Sequence, residues 1–339
     1  MGRNLRGAVA AAVATALTVS TGAGAAVSPE YRARMAARYV VDHQNPDGSI
    51  PTFSTIGSTA DGVISLVAVR RGPKAINDAI DYLRSEETDV DTIGEKAKVV
   101  MALVAAGEDP RTFEGRNLLD EIRSTQTSRG RFGADTSVFD HALALLAFGS
   151  VSGSPRDAAE WLADAQCRDG GWQYDAPSKA GENDHCFSGD ASSDFFKSDT
   201  NTTALAIQAL AITARREELK RSPFRFIKAI RDEVKGGWGY TWGFRLTDSN
   251  STALVLQAYA AWDRDMPKGA RRALRALQHR LCGRNAGAFA YSWDKEDGTY
   301  KKQNPNLGAT VGAILGLLRR PLPVGPADVD KAPPQPSDC

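Results

Sequence analysis

The chain has 339 residues, 42% of them apolar and 24% charged, with a formal net charge of +1. This composition is that of a folded globular protein and excludes a disordered or collagen-like chain. The even charge balance also lacks the basic excess of a nucleic-acid-binding protein, so no nucleic acid partner is expected.

The first 26 residues have the pattern of a secretory signal peptide. Arg3 and Arg6 precede an apolar run over residues 8–19, and small residues follow it. That order matches a basic start, an apolar core and a cleavage site, here near Ala25 or Ala26. Twelve apolar residues are too few to span a bilayer, which needs about 20. The pattern therefore predicts secretion, with no stable membrane insertion.

All four cysteines lie beyond this segment. An even number of cysteines in an exported chain favours disulfides. We favour Cys167–Cys186, which closes a local loop, together with Cys282–Cys339, which ties the C-terminal tail to the body. Zinc is the alternative, because Asp184, His185 and Cys186 offer three ligand types in a row. Adjacent residues rarely converge on one ion and no C-x-x-C pair is present, so no metal is expected.

A short motif recurs along the chain: Gln, three residues, Gly, one residue, then a large side chain. The copies are Gln44…Gly48…Ile50, Gln126…Gly130…Phe132 and Gln166…Gly170…Trp172, with looser copies at Glu233…Gly236…Trp238 and at Gln278 with Gly287 and Phe289. The spacing is 40–45 residues, with a decayed copy expected near Ser85 and an insertion over roughly 176–197. Such a period is typical of a helical repeat array or a closed helical ring.

Each repeat contains two helices of different character. Amphipathic segments are predicted over 31–43, 74–84, 114–125, 156–166, 224–235 and 268–280, and segments that are apolar almost all round over 62–69, 97–106, 141–148, 203–212, 252–262 and 307–318. A helix with no polar face must be buried on every side. Six dry helices inside six amphipathic ones satisfy this, and no capping repeats for an open array are evident. The sequence predicts an all-α, α6/α6 toroid over 28–320, followed by an irregular Pro-rich tail over 321–339.

Four aspartates stand just before apolar helices: Asp91, Asp135, Asp199 and Asp248. Aspartate is a good N-cap residue, so capping is the simplest interpretation of all four.

The repeats resemble those of the prenyltransferase and squalene-cyclase superfamily. The closest copy is Gln166-Cys-Arg-Asp-Gly-Gly-Trp172, and the segments beginning Asp199-Thr-Asn and Asp248-Ser-Asn look like starts of that superfamily's inner helices. The resemblance implies an α/α toroid but says little about function, because one fold hosts many chemistries. The zinc-ligand context of protein prenyltransferases and the Cys-Gly-Glu-Gln run of thioester domains are both absent. A cobalamin-carrier-like binding protein stays open, although the smaller cobalt-capping domain is missing.

A terpene-cyclase-like enzyme is a further alternative, a lyase or isomerase acting on a polyprenyl substrate. The resemblance implies an Asp-x-Asp-Asp motif whose middle aspartate protonates the substrate. Asp89-Val90-Asp91-Thr92 is the nearest match, with Asp91 as the acid, and it lacks the last aspartate. Other catalytic candidates are Asp135, Asp140 and His141. Asp140 and His141 open an inner helix, where they are expected to face the cavity.

Aromatic residues cluster in the loops that lead into the dry helices. We expect a ligand to contact Tyr174, Tyr240, Trp242, Tyr291 and Trp293, with Asp199 and Asp248 nearby. Trp172 and Trp238 are expected to pack against an outer helix instead. Aromatic walls suit an apolar or cationic guest. The resulting hypothesis is a secreted, non-catalytic toroid without a cofactor, which binds a hydrophobic small molecule or a secreted or cell-surface protein.

Overall fold

The computed structural model describes residues 27–329, apart from 86–88, 152, 177–185, 187–196, 214 and 217–218. The predicted signal peptide, most of the insertion and the end of the tail, including Cys339, lie outside the described residues. Secretion and the Cys282–Cys339 pairing therefore stay predictions.

The described residues form twelve α-helices that alternate between an outer and an inner ring. The outer helices are α1 (Pro29–Asp42), α3 (Pro73–Arg84), α5 (Leu118–Ser124), α7 (Arg156–Asp164), α9 (Phe224–Ala229) and α11 (Ala270–Leu277). The inner helices are α2 (Thr55–Val69), α4 (Ile93–Ala106), α6 (Val138–Val151), α8 (Thr200–Ile212), α10 (Ser249–Ala261) and α12 (Leu307–Leu318). Each inner helix packs against the next, and α12 packs against both α10 and α2. The ring is thus closed, and the predicted α6/α6 toroid is confirmed.

Six short strands hold the loops between outer and inner helices. They are β1 (Trp172–Gln173), β2 (Ser198–Asp199), β3 (Phe289–Ala290), β4 (Trp293–Glu296), β5 (Thr299–Lys302) and β6 (Pro305–Asn306). Trp172 pairs with Asp199 and Phe289 with Asn306, both antiparallel. The large residue of the motif therefore lies beside the N-cap residue of the following inner helix.

The motif glutamines connect neighbouring repeats. The Gln44 side-chain amide donates to the carbonyl of Gly48 in its own turn and to that of Ala75 in α3, at 2.7 and 2.9 Å. Gln166 bonds Gly170 and Arg221 in the same way. Each of these two glutamines closes its own turn and ties it to the next repeat, at α3 for Gln44 and just before α9 for Gln166.

The motif glycines allow the close approach between repeats. Gly48 has a φ of +90°, and a Cβ built there would lie 2.0 Å from the carbonyl oxygen of Asp78 in α3. Both the left-handed backbone and the lack of space exclude other residues.

The motif copy predicted at Glu233 is two residues out of register with the structure. Arg231 takes the glutamine's part: its guanidinium donates to the carbonyls of Gly236 and Lys268, each at 2.8 Å. A planar side chain with several N–H donors can make the same double contact. Helix α9 ends at Ala229 rather than near Lys235, because the turn that Arg231 closes follows directly.

The last repeat closes on the first. The Gln278 amide donates to the carbonyls of Gly287 and of Arg32 in α1, and it accepts a bond from the Arg32 guanidinium at 3.0 Å. Gly287 lies against α1, where an added Cβ would be 2.3 Å from Met35. Ring closure therefore uses the same kind of contact that Gln44, Gln166 and Arg231 make with the repeats that follow them.

The loop bond Cys167–Cys186 is present, with the two Cα atoms 5.4 Å apart. The described part of the tail, residues 321–329, contains no helix or strand. Leu322 and Val324 are nonetheless buried, and the Leu322 amide donates to Gln208 Oε1 in α8 at 2.9 Å. This part of the tail crosses the end of the barrel and forms its floor. No helix of the described residues is long and apolar enough to span a bilayer.

Candidate functional site

The inner helices surround a cavity of about 800 Å³. It opens at the N-terminal ends of the inner helices and is closed at the other end by Leu322. Its deep walls are apolar, with residues contributed by five of the inner helices: Ile64, Leu143, Leu205, Leu254, Val311 and Leu315. A concave apolar site with a few convergent polar groups is the usual form of a small-molecule site.

One side of the cavity carries charge. It is formed by α2, α4 and α6, which contribute Asp61, Glu95, Lys98 and Asp140. Lys98 Nζ lies 2.6 Å from Asp61 Oδ2, so these two charges balance each other. Glu95 and Asp140 leave this wall with a negative excess, which disfavours anionic ligands. Among the described residues, no group of three or more acidic, His or Cys side chains is arranged to hold a metal ion.

Asp140 is the most enclosed of these carboxylates. Ser137 Oγ donates to Asp140 Oδ2 at 2.8 Å and accepts the backbone N–H of Asp140 at 2.9 Å. Burial raises the pKa of Asp140, the bond from Ser137 and the charge of Lys98 counteract that rise, and Glu95 adds to it. A carboxyl whose pKa is raised by an apolar cavity keeps its proton to a higher pH than a free aspartate does, which favours its use as a proton donor.

Tyr174 borders Asp140 at the mouth of the cavity. Its ring centroid is 5.9 Å from that of Phe139, and both rings line the cavity. Burial raises the pKa of the Tyr174 phenol, the Asp140 charge raises it further, and a hydrogen bond with Ser137 lowers it. Ser137, Asp140 and Tyr174 thus form one connected polar group.

The opposite side of the cavity is uncharged and polar. Tyr240 and Tyr291 stand above the side-chain amides of Asn201, Asn250 and Gln257. The tyrosines occupy equivalent places, since the Tyr240 carbonyl accepts the N–H of Thr200 and the Tyr291 carbonyl accepts that of Ser249. Each tyrosine is therefore fixed over the start of an inner helix.

Three acceptor atoms on this side are buried without a hydrogen-bond partner: Asn201 Oδ1, Asn250 Oδ1 and Gln257 Oε1. Gln208 occupies the position in α8 that Gln257 occupies in α10, and its oxygen accepts the backbone N–H of Leu322. Buried polar atoms without partners are costly, so these three indicate places for a ligand's hydrogen-bond donors.

The tyrosines predicted from sequence line the cavity, and the tryptophans do not. Trp242 is 43% exposed, outside the cavity, with the Arg245 guanidinium 5.1 Å from its ring. Trp293 lies under Lys235 Nζ, 4.2 Å from the ring centroid. Each stands two residues beyond its tyrosine, Tyr240 or Tyr291, and lies outside the cavity lining.

Asp199 and Asp248 are placed behind the cavity wall, not in it. Each is buried and caps an inner helix, accepting the N–H of Thr202 and Ser251 respectively. Burial raises the pKa of both carboxyls to about 7, with the capping bonds acting in the opposite direction. The capping prediction is confirmed for these two residues. Neither residue lines the cavity, so the structure gives no support to their predicted contact with a ligand.

Asp91 and Asp135 are neither caps nor cavity residues. Asp91 is 81% exposed and lies 3.8 Å from Lys96 Nζ. The N-cap of α4 is Thr92, which forms a capping box with Glu95. Asp135 is exposed, and Ser137 caps the start of α6 instead. Asp91 does not line the cavity, so its position gives no support to its predicted role as the acid.

His141 lies inside the wall of the barrel. Its Nδ1 accepts the Phe132 N–H at 3.3 Å and its Nε2 donates to the Ala158 carbonyl at 2.9 Å. Burial lowers its pKa to about 3, so the ring is neutral. In four other repeats a threonine hydroxyl receives the same motif N–H: Thr59, Thr203, Thr252 and Thr310. His141 therefore has a structural role, which aligning the repeats on these threonines would have shown.

Trp172 and Trp238 pack as expected, fully buried, with the indole N–H donating to Leu162 in α7 and Ile227 in α9.

The residues that sequence reasoning missed are polar groups on the dry helices, among them Asp61, Glu95, Lys98, Asn201, Asn250 and Gln257. Their signal was available, because each is a polar residue in a largely apolar helix, and Glu95 and Lys98 lie three residues apart on one side of α4.

Comparison with protein-family models and with curated proteins gives no match. Solved structures do match. A variant of type II terpene cyclase MstE from Scytonema, with geranylgeranyl dihydroxybenzoate as substrate, superposes with a TM-score of 0.57 at 12% identity, over 86% of this chain and 97% of that one. The α-1,6-mannanase of Salegentibacter sp. gives 0.53 at 12% identity, over 86% and 99%. Unsaturated glucuronyl hydrolase from Bacillus sp. gives 0.55 at 14% identity, over 85% and 94%. At these identities the likeness establishes the fold alone, and it shows that this chain is an α/α toroid.

Proposed function

We propose that this protein binds an amphipathic small molecule, with an apolar body and a neutral or cationic head that donates hydrogen bonds, inside the barrel. The observation that carries the proposal is a cavity of about 800 Å³ in which three buried acceptor atoms have no partner. Apolar walls bind the body of the ligand through burial of its surface. The amides and the Tyr240 and Tyr291 side chains select hydroxyl or amine groups, while Glu95 and Asp140 repel anions.

Titration with farnesol, farnesylamine and farnesyl diphosphate tests this proposal, because the three share one apolar chain and differ in the charge of the head. We expect the alcohol or the amine to bind at least tenfold more tightly than the diphosphate. Leu254→Trp fills the cavity and should abolish binding. Val234→Trp, at an exposed position, adds the same indole outside it and should leave binding unchanged. Tighter binding of the diphosphate, or equal binding by both variants, contradicts the proposal.

Native mass spectrometry of protein secreted by a growing host gives a second readout. Mass that is lost on denaturation identifies a bound molecule, and its absence from Leu254→Trp places that molecule in the barrel. Detection in the culture medium also tests the predicted export.

A second candidate function is an acid-initiated reaction on the bound molecule. It is favoured by Asp140, whose pKa is raised by burial and which is oriented by Ser137 beside Tyr174. The three solved toroids named above are a terpene cyclase, a mannanase and a hydrolase, so the fold supports chemistry at such a cavity. Under this second proposal, Asp140 rather than Asp91 is the acid that the resemblance to cyclases implies.

Incubation with polyprenyl alcohols and with glycosides distinguishes binding from catalysis. For an enzyme, Asp140→Asn should lower product formation by at least a hundredfold, the usual scale of one general acid, with little change in binding. Asp91→Asn should have no effect. If the wild-type protein forms no product, or Asp140→Asn retains full turnover, the catalytic role of Asp140 is excluded.

A further inference from the structure

A second cavity lies on the outside of the ring, where the N-terminus of α11 meets the C-terminus of α12. Its volume is about 350 Å³, and its charged lining consists of four arginines and one aspartate: Arg271, Arg272, Arg275, Arg319 and Asp265. We call it the arginine groove. It is separate from the barrel cavity, with which it shares no residue.

The arginines of this groove are not neutralised by the protein. Within the described part of the chain, none of the four makes an ion pair, and Arg319 Nε is buried without a hydrogen-bond partner. By contrast, the half-buried Arg84 pairs with Glu108 and Glu114. Four guanidinium groups facing one carboxylate leave the groove with an excess positive charge that a ligand can balance.

The backbone adds to this positive field. Helix α11 starts at Ala270 after Gly269, which provides no side-chain cap, and its first turn contains Arg271 and Arg272 but no acid. The N-terminal end of a helix favours anions and disfavours cations. Arg275 also affects Arg32 in α1, whose pKa is lowered by burial and by the charge of Arg275. Arginine here is therefore unfavourable for stability unless an anion is bound.

We propose that the arginine groove is a binding site for a phosphate ester. Guanidinium groups bind phosphate oxygens through paired N–H donors, and unpaired N–H groups at a helix N-terminus bind them as well. The groove has room for a phosphate with a small organic group attached. A free phosphomonoester and the headgroup of an anionic lipid share this chemistry.

Calorimetric titration of the full chain with glycerol 3-phosphate at low ionic strength tests the site, and flotation with phosphatidylglycerol vesicles tests the lipid source. The test variant is Arg271→Ser with Arg272→Ser. The control is Arg225→Ser with Lys228→Ser, which removes the same charge from the exposed side of α9. Arg225 is the second residue of its helix, as Arg271 is.

The wild-type protein and the α9 control should bind at least one of the two ligands with similar affinity, and the α11 variant should bind it at least tenfold more weakly. Binding that favours glycerol 3-phosphate identifies a soluble ester, and binding only to phosphatidylglycerol vesicles, with none to phosphatidylcholine, identifies a lipid. If neither ligand binds, or both variants weaken binding equally, the groove is not a specific site. Matching thermal stability of the two variants excludes misfolding as the cause.

Discussion

Asp140 occupies the space that a side chain at Gly94 would fill: a Cβ added to Gly94 would lie 2.2 Å from Asp140 Oδ1. Gly94 is the second residue of α4 and Asp140 the third of α6, so the two inner helices meet at this point. The absence of a side chain on α4 is what lets this carboxyl enter the cavity. The position of the candidate acid is therefore set by a glycine in a different repeat.

We expect Gly94→Ala to displace the Asp140 carboxyl and to lower the free energy of unfolding by about 1–3 kcal/mol, the usual cost of overpacking. Gly308→Ala is the matched control, since Gly308 is the second residue of α12 and an added Cβ there meets Thr52 at an ordinary 3.4 Å. That change should be neutral or stabilising, because alanine favours helix over glycine by about 1 kcal/mol. Urea unfolding measures both. Equal effects would show that the Gly94–Asp140 contact is not critical.

The two buried caps predict a pH dependence of stability. Burial raises the pKa of Asp199 and Asp248 to about 7, above the value of a free aspartate, so the folded state binds these protons more tightly than the unfolded state. Their contribution to stability is full below about pH 4 and is lost as the pH rises to about 7.

Asp199→Asn should therefore stabilise the protein relative to wild type more at pH 8 than at pH 5. Asparagine caps helices as well as aspartate does, and Asn306 already caps α12. The difference between the two pH values has an upper limit of about 3 kcal/mol, because about two pH units lie between pH 5 and a pKa of about 7 and one pKa unit corresponds to about 1.4 kcal/mol. Thermal unfolding across this range measures it, with exposed Asp135→Asn as the control. A difference that is constant with pH would mean that Asp199 is ionised throughout.

The contacts of Gln278 that close the ring should make a measurable contribution to the free energy of unfolding. Gln278→Leu removes the bonds to Gly287 and Arg32, and we expect a loss of about 1–3 kcal/mol, because buried partners are left unsatisfied. Gln126→Leu removes the bond to Gly130 within its own turn and should cost about 1 kcal/mol. Denaturant unfolding of the two variants isolates the contribution of the contact with α1. If they lose equal stability, that contact does not hold the ring closed.

The Cys167–Cys186 bond joins residues 19 apart in sequence. For a loop of this size, removing the bond should cost about 3 kcal/mol through the greater entropy of the unfolded chain. Replacing both cysteines by alanine should lower the melting temperature of the oxidised protein by the amount that corresponds to this free energy. Peptide mapping of the wild-type protein checks the pairing. A melting temperature unchanged by the substitution would show that the insertion does not depend on this bond.

The architecture could be predicted because it follows from patterns that are local in the sequence. A period of 40–45 residues, and the alternation of amphipathic with wholly apolar helices, require six helices to be buried inside six others. Most of the predicted helix ends lie within four residues of the observed ones, but α2 begins at Thr55, seven residues before its predicted start. The prediction also failed at the end of α9. Arg231 stands there in the place of the motif glutamine, so the repeat is not visible from residue types alone.

The site could be predicted only in part. Tyr174, Tyr240 and Tyr291 line the cavity because they hold a fixed place in the repeat. Asp91, Asp199 and Asp248 all stand near the starts of inner helices, yet Asp91 is exposed and the other two are buried caps. Whether such an aspartate is exposed or is a buried cap depends on its angular position around the helix axis and on the neighbouring repeat.

The sequence by itself therefore determined the repeat, the two classes of helix and the closed ring, because helical periodicity and burial act within one segment. Only the tertiary structure decided which polar residues share the cavity. Asp140 comes from α6, Glu95 and Lys98 from α4, and Asn250 from α10. They meet because ring closure brings distant segments to one axis, and no pattern within a single repeat encodes that meeting.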